Sequence, residues 1–259
     1  MTKQIALIDQ ARGLGDIFFL QKAVCHISEG MDNVIWPIHP KYNYLHEYLI
    51  TPKTSYFSFP LDTTEFSDSV KVWHKVLYDN YKLNNFSSTP VSGGVIHYYP
   101  FRTSSNMVDN PNDTNIMYSK YKILNISFDD WQKYFKFKRK LDREDSLRKK
   151  YGLEKSDKFI FVNTMYYTSP YNTYKIEVDS EYKMIYNDGS PCHIFDFCWL
   201  LENAQEIHTV ETSICYLVEV LNTTDKIYCY PRLVKGAKKI YQNFDYINKI
   251  FKKNWNYIQ

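Results

Sequence analysis

Residues 159–230 alternate two kinds of apolar pattern, and that alternation constrains the fold more tightly than any other feature of the chain. Phe159–Thr164 (FIFVNT) is a continuous apolar run closed by polar residues, the mark of a strand buried on both faces. Tyr182–Tyr186 reads as a further strand, ended by the turn residues Asn187, Asp188, Gly189 and Ser190. Asp196 then opens a helix that carries Phe197, Leu200, Leu201 and Ala204 on one face. Glu206–Val210 is a strand, Thr212 or Ser213 caps a helix bearing Ile214, Leu217, Val218 and Leu221, and Lys226–Tyr230 is the next strand. Strands and helices that alternate through short links predict a parallel sheet with right-handed crossovers.

The N-terminal half begins in a related way. Within Lys3–Ala23 (KQIALIDQARGLGDIFFLQKA), the run Ile5, Ala6, Leu7, Ile8 gives way to a loop with Gly13 and Gly15. A helical pattern follows, predicted over Asp16–Glu29 with Ile17, Leu20, Val24 and Ile27 on its buried face. Strand, glycine turn and helix form the first crossover of a doubly wound domain, which places Asp16 at the carboxyl end of the first strand, toward the working cleft. Asn33–Ile38, Tyr56–Phe59 and Gly94–Tyr99 read as strands, Val70–Tyr78 as a helix and Phe101–Asn115 as a polar loop. Lys136–Tyr151 is a charged surface helix closed by Gly152. The boundary falls there, giving domains 1–150 and 151–259, the second ending in an amphipathic helix over Gly236–Ile258. The predicted class is α/β, with two Rossmann-like doubly wound domains.

Bulk properties narrow the function. The 259 residues suffice for two small domains. With 32 basic and 29 acidic side chains the net charge is +3, too balanced to argue for nucleic-acid binding. The lysines between Lys235 and Lys253 fit a solvated helix face. Five cysteines, an odd count without CxxC spacing, fit reduced buried thiols rather than zinc ligands. The opening MTKQIALIDQ does not resemble a signal peptide, and no apolar run approaches the ~20 residues of a membrane span. The expected compartment is the cytosol.

Two helix N-termini concentrate the chemistry. One carries Gly13, Leu14, Gly15 and Asp16; the other carries Glu211, Thr212 and Ser213 after the strand EIHTV. Unpaired amides and the helix dipole attract anions at such ends, while plain N-capping explains the same residues equally well. Asp16 would repel a phosphate, and its loop lacks both the third glycine of a dinucleotide fingerprint and the lysine of a P-loop. An anion therefore belongs to the second half and a carboxylate to the first. A nucleotide diphosphate on the C-terminal domain and a base on the N-terminal domain suit group transfer to a hydroxyl. Arg12, Gly13 and Gly15 are candidate acceptor or phosphate contacts, and Asn163 and Thr164, at a strand end, candidate ligand contacts. Arg102 and Lys175 are phosphate partners without positional support. Asp196 reads as a helix cap, and His193 and His208 as ordinary strand or loop residues. No DxD motif closes a strand, and Asp129-Asp130 lies in a surface loop or helix start, so no metal and no cofactor are expected.

The segment RGLGDIFFLQKAV resembles the N-terminal motif of heptosyltransferase-like glycosyltransferases of family nine, which have the GT-B fold. There the aspartate after the glycine is the proposed base, a role the resemblance carries onto Asp16. The segment IHTVETSICYLVEVL resembles their donor-site segment, in which Asp-Thr/Ser-x-x-x-His-Leu follows a strand. Thr212 and Ser213 match that opening, Glu211 stands for the aspartate, and Tyr216 replaces the histidine before Leu217. Residues 40–155 match no family. The resemblance implies a compact GT-B-like pair of domains facing a cleft. It also implies inverting, metal-independent transfer from a nucleotide-sugar donor to a glycan or other hydroxyl acceptor. Glu211, Thr212, Ser213, Ile214, Asn163 and Thr164 would bind the donor. Two alternatives stand beside it: a non-catalytic nucleotide or sugar-phosphate binding module, and a transferase acting on a nucleic-acid base.

Overall fold

The computed structural model describes residues 2–10, 13–58, 87–101, 116–165, 176–189, 192–231 and 248–258. Arg12, Val70–Tyr78, Arg102 and Lys175 lie outside them, as does most of the predicted loop 101–115. The chain divides into two units, Met1–Lys138 and Arg139–Gln259.

The first unit contains β1 (Lys3–Ile8), α1 (Leu14–Phe19), α2 (Gln21–Glu29), β2 (Asn33–Ile38), α3 (Leu45–Tyr48), β3 (Thr54–Ser58), β4 (Ser87–Val91), β5 (Gly94–Tyr99) and α4 (Ile116–Lys122). Its sheet runs β3-β2-β1-β5-β4. β1 is parallel to both β2 and β5, and β4 returns antiparallel to β5 through a turn at Gly93, whose φ of 84° suits glycine. Ala6, Ile8, Val34, Trp36 and Ile38 are buried in the sheet, and Ile17, Leu20, Val24 and Ile27 are buried on the helices, as the spacing predicts. Each of the valine, leucine and isoleucine side chains contributes roughly 1.5–3 kcal/mol by leaving water. Phe18 and Phe19 are buried too, stacked on Phe135 and edge-on to Tyr121 and Trp131. The helix predicted over 16–29 starts two positions earlier and has a break at Leu20. Gly13 makes the entry turn, so helical geometry begins at Leu14. The break is slight, since Leu20 donates to the Asp16 carbonyl and Val24 to that of Leu20.

The second unit contains α5 (Leu141–Lys150), β6 (Phe159–Asn163), β7 (Lys183–Tyr186), α6 (Cys198–Asn203), β8 (Glu206–Val210), α7 (Ser213–Val220), β9 (Ile227–Tyr230) and β10 (Trp255–Tyr257). Its five strands run β10-β9-β8-β6-β7, all parallel. The division after Lys138 puts α5 in this unit, not at the end of the first. The reason is ionic and left no apolar stripe to read: Arg143 forms a two-pronged pair with Asp196, and Arg139 bridges Glu144 to Glu202. Gly152 closes α5 with φ 61°. Asp196 caps as expected, but from inside the turn, accepting the His193 N–H at 2.9 Å. The predicted C-terminal helix is corrected at its end. Residues 255–257 form a strand that covers the edge of β9, fixed by Glu219, which accepts from the amides of Lys252 and Lys253 and from Trp255 Nε1. Cys198, Cys215 and Cys229 are buried and Cys25 and Cys192 half-buried, none of them in a disulfide. Among the described residues no helix is long and apolar enough to cross a membrane.

Candidate active site

Open α/β sheets place ligands beyond the carboxyl ends of their strands, where the strand order reverses. The first unit reverses between β1 and β5, the second between β6 and β8. Polar side chains gather at both points.

Beyond β1 the chain is buried but polar. Asp9 donates its N–H to the Tyr99 carbonyl at 2.9 Å and accepts from Tyr98 Oη at 2.7 Å. The Gln10 carbonyl accepts from Trp36 Nε1 at 3.1 Å, and its side-chain oxygen accepts from Lys120 Nζ at 2.8 Å. Lys120 also pairs with Asp16. The Asp16 side chain stands in the first turn of α1 and remains 29% exposed, whereas that of Lys120 is 2% exposed. Gly13 has φ 70°, and a Cβ there would collide with the Asp16 carboxylate. Glycine is thus required twice at this position, for the backbone and for the carboxylate folded over it. Gly15 lies within the first turn of α1. The structure brings Asp16 and Gly13 together as the sequence suggests, and adds a cation that the sequence reading did not include.

The second site is built mainly from amides and hydroxyls, with the buried Glu211 beside them. Asn163, at the end of β6, is buried, and its amide donates to Thr209 Oγ1 at 2.9 Å and Thr212 Oγ1 at 3.3 Å. Its oxygen accepts from Asn187 Nδ2 at 2.9 Å, and Asn187 in turn accepts from the Gly189 N–H at 3.1 Å. Thr212 caps α7 by accepting the Ile214 N–H at 3.3 Å. Its oxygen thus accepts twice, which leaves its own O–H to donate. Among the described residues the N–H groups of Thr212 and Ser213 have no acceptor, and both residues reach the surface. The arrangement offers hydroxyls and amides to an anion at a helix N-terminus. Glu211 and Ile214 are buried, and Glu211 holds β8 to β9 by donating its N–H to the Tyr230 carbonyl at 3.0 Å. Asn163, expected as a ligand contact, is hydrogen-bonded to Thr209, Thr212 and Asn187. Thr164 follows it, half-buried.

Other polar and aromatic positions have protein partners of their own. Asp130 sits in a turn and pairs with Lys22 at 2.6 Å. His193 caps the 3-10 turn Ile194–Phe197 that precedes α6. His208, inside β8, is buried between Glu206 and Tyr230. Tyr216 is buried edge-on to Phe251, with ring centroids 5.0 Å apart. Sequence reading missed Lys120, Gln10, Asp9, Tyr98 and Asn187. Asn187 was findable, because it ends a strand as Asn163 does. Lys120 was not, because it reaches Asp16 across 104 positions of sequence.

No protein-family model and no curated protein matches the chain. Solved structures resemble it, two glycosyltransferases among them. A glycosyl transferase family 9 protein from Veillonella parvula DSM 2008 aligns with TM-score 0.55 and 9% identity, over 99% of this chain and 85% of that one. The E. coli ADP-heptose LPS heptosyltransferase II aligns with TM-score 0.51 and 9% identity, over 98% of this chain and 90% of that one. The chain has a GT-B-like α/β fold with two mainly parallel sheets.

Proposed function

We propose that the protein is a glycosyltransferase. It moves a sugar from a nucleoside-diphosphate sugar to an acceptor hydroxyl, with inversion and without a bound metal. Asp16 takes the acceptor's proton as its oxygen bonds to the anomeric carbon. The bond from that carbon to the diphosphate oxygen breaks, and the electron pair leaves with the diphosphate. The N–H and O–H groups of Thr212 and Ser213 bear the negative charge that develops on the leaving group. The observation that carries this reading is Asp16, a partly exposed carboxylate at a switch point in a fold shared with two glycosyltransferases.

The test is a thermal-shift screen of nucleoside diphosphates and nucleotide sugars, run on the wild type and on Thr212→Val. A specific donor raises the stability of the wild type by about 2.7 kcal/mol at a hundredfold excess over its Kd, and that of the variant by less. A folded protein that responds to none of them overturns the reading.

One observation favours a second reading. Tyr216, at the position where the resembling family carries histidine, is packed into the core. A module that binds nucleotides without transfer fits that loss. It would bind the donor as the transferase does but release no nucleoside diphosphate from it.

A further inference from the structure

The ammonium of Lys120 plays no part in the transfer steps above, yet it is withdrawn from water beside the residue that does. Burying an ammonium costs several kcal/mol even after relaxation, and a well-packed apolar residue often serves stability as well as a buried ion pair does. Stability alone is therefore a weak reason for this pair. Its asymmetry points elsewhere: the cation is sealed at 2% exposure while the anion keeps 29%. The carboxylate is fixed from both sides. Oδ1 takes a hydrogen bond from Lys120, and Oδ2 lies over Gly13, where only a glycine leaves room. Lys120 is held in turn by the side-chain oxygen of Gln10, and the Gln10 carbonyl is held by the fully buried Trp36. A line of fixed groups thus runs from the core of the sheet to one carboxylate at its edge.

We propose that Lys120 is a positioning residue, which holds the Asp16 carboxylate in the one orientation from which it can meet an acceptor hydroxyl. The inference rests on the reading of Asp16 as the base. Preorganised groups of this kind are worth far more than mobile ones, and misplacing a reacting group by about 1 Å costs roughly 10²-fold in rate.

The experiment is a double-mutant cycle in the full chain, with Asp16→Asn, Lys120→Met and the double variant. It reads kcat and KM for release of nucleoside diphosphate from a nucleotide sugar, together with nucleoside-diphosphate affinity. Lys120→Met is expected to lower kcat by roughly 10–10²-fold and to leave that affinity unchanged. The double variant is expected to be no slower than Asp16→Asn alone, because groups that act as a unit are not additive. Losses that multiply overturn the proposal, since Lys120 would then act independently of Asp16. Lys120→Arg covers the case in which Lys120→Met does not fold. It keeps the charge but presents a planar fork, so kcat falls while the thermal midpoint holds. Wild-type kcat in Lys120→Arg overturns the proposal as well. A crystal structure of Lys120→Met separates this inference from the reading beneath it. A carboxylate that has turned away from Gly13 supports positioning whether or not the enzyme turns over, and an unmoved one refutes it. Wild-type turnover in Asp16→Asn instead removes the base reading itself.

Discussion

The two switch points share a topology and differ in polarity. Beyond β1 the groups are charged, with a sealed ammonium, a partly exposed carboxylate and a glutamine that holds the ammonium. Beyond β6 a line of uncharged groups runs from the Gly189 N–H through Asn187 and Asn163 to the Thr212 hydroxyl, with the buried Glu211 after β8. The first line ends in a carboxylate and the second in a hydroxyl. A neutral relay avoids the desolvation cost of a buried ion, and a hydrogen-bond chain polarises its own members. An ion pair has more at stake, because removing one partner strands the other. The contrast teaches that one doubly wound scaffold can end its strands in a charged pair or in a hydrogen-bonded line of amides and hydroxyls, and that a few side chains past the strand ends decide which.

The sharpest way to break this contrast is Asp16→Asn. The amide still reaches Lys120 but takes up no proton, so turnover is expected to fall by roughly 10²–10⁴-fold, the usual worth of a general base. Affinity for the nucleoside diphosphate, measured by calorimetry, is expected to hold, because that ligand is assigned to the second unit. Equal loss of both would erase the division of labour. Gly13→Ala comes next. An L-residue in the left-handed region costs about 1–2 kcal/mol of stability, and the new methyl group evicts the Asp16 carboxylate, for a further loss of roughly 10²-fold in kcat. Parallel unfolding and rate measurements separate the two effects. If stability falls while kcat holds, the carboxylate's place over Gly13 is irrelevant to catalysis.

The same contrast explains what could be read from the sequence. The second unit's strands and helices follow from apolar runs such as FIFVNT, and its site follows from Thr212 and Ser213, because cap and crossover are local in sequence. Even its relay was half-legible, since Asn163 and Asn187 each close a strand. In the first unit the strands Asn33–Ile38 and Gly94–Tyr99 were legible, but of its site only the loop was. Asp16 and Gly13 stand three residues apart, but the cation that completes the site comes from α4, a short helix whose aromatic and lysine mixture has no clear period. The attachment of α5 was hidden for a related reason. It is held by Arg139 and Arg143, and charge pairs leave no hydrophobic stripe behind. The strand at 255–257 escaped because its pairing with β9 is long-range, while the local pattern is that of a helix.

Asn163→Ala sharpens the neutral side. The substitution removes the acceptor for Asn187 and the donors to Thr209 and Thr212, in a buried place that water does not fill freely. Each stranded polar group costs about 1–3 kcal/mol, and Thr212 loses the partner that turns its hydroxyl outward. Denaturant unfolding is expected to show that loss. Affinity for the nucleoside diphosphate is expected to drop with it, by less than Asp16→Asn lowers turnover. Stability lost at unchanged affinity would make the relay a structural device only.

The smallest expected effect is on pH. In the second sheet His208 is stacked on Tyr228 and bonded to Tyr230 Oη and Glu206. Burial holds the His208 imidazole below its ordinary value, and its contact with Glu206 offsets that only in part. The folded chain therefore keeps His208 neutral at a pH where the unfolded chain has taken up a proton. The unfolded state then binds more protons, so stability falls as pH drops through about 6.5 toward the lower folded value. Burial raises Glu206 while bonds from Lys226 and His208 lower it by more, so its net shift is also downward and acts in the same direction at still lower pH. Hydrogen exchange at β8 and β9, corrected for the intrinsic rate, is expected to quicken on mild acidification, and His208→Gln to remove the component that titrates near neutrality. Protection at β8 that is indifferent to pH would show that this histidine is solvated well enough to carry its charge in the folded state.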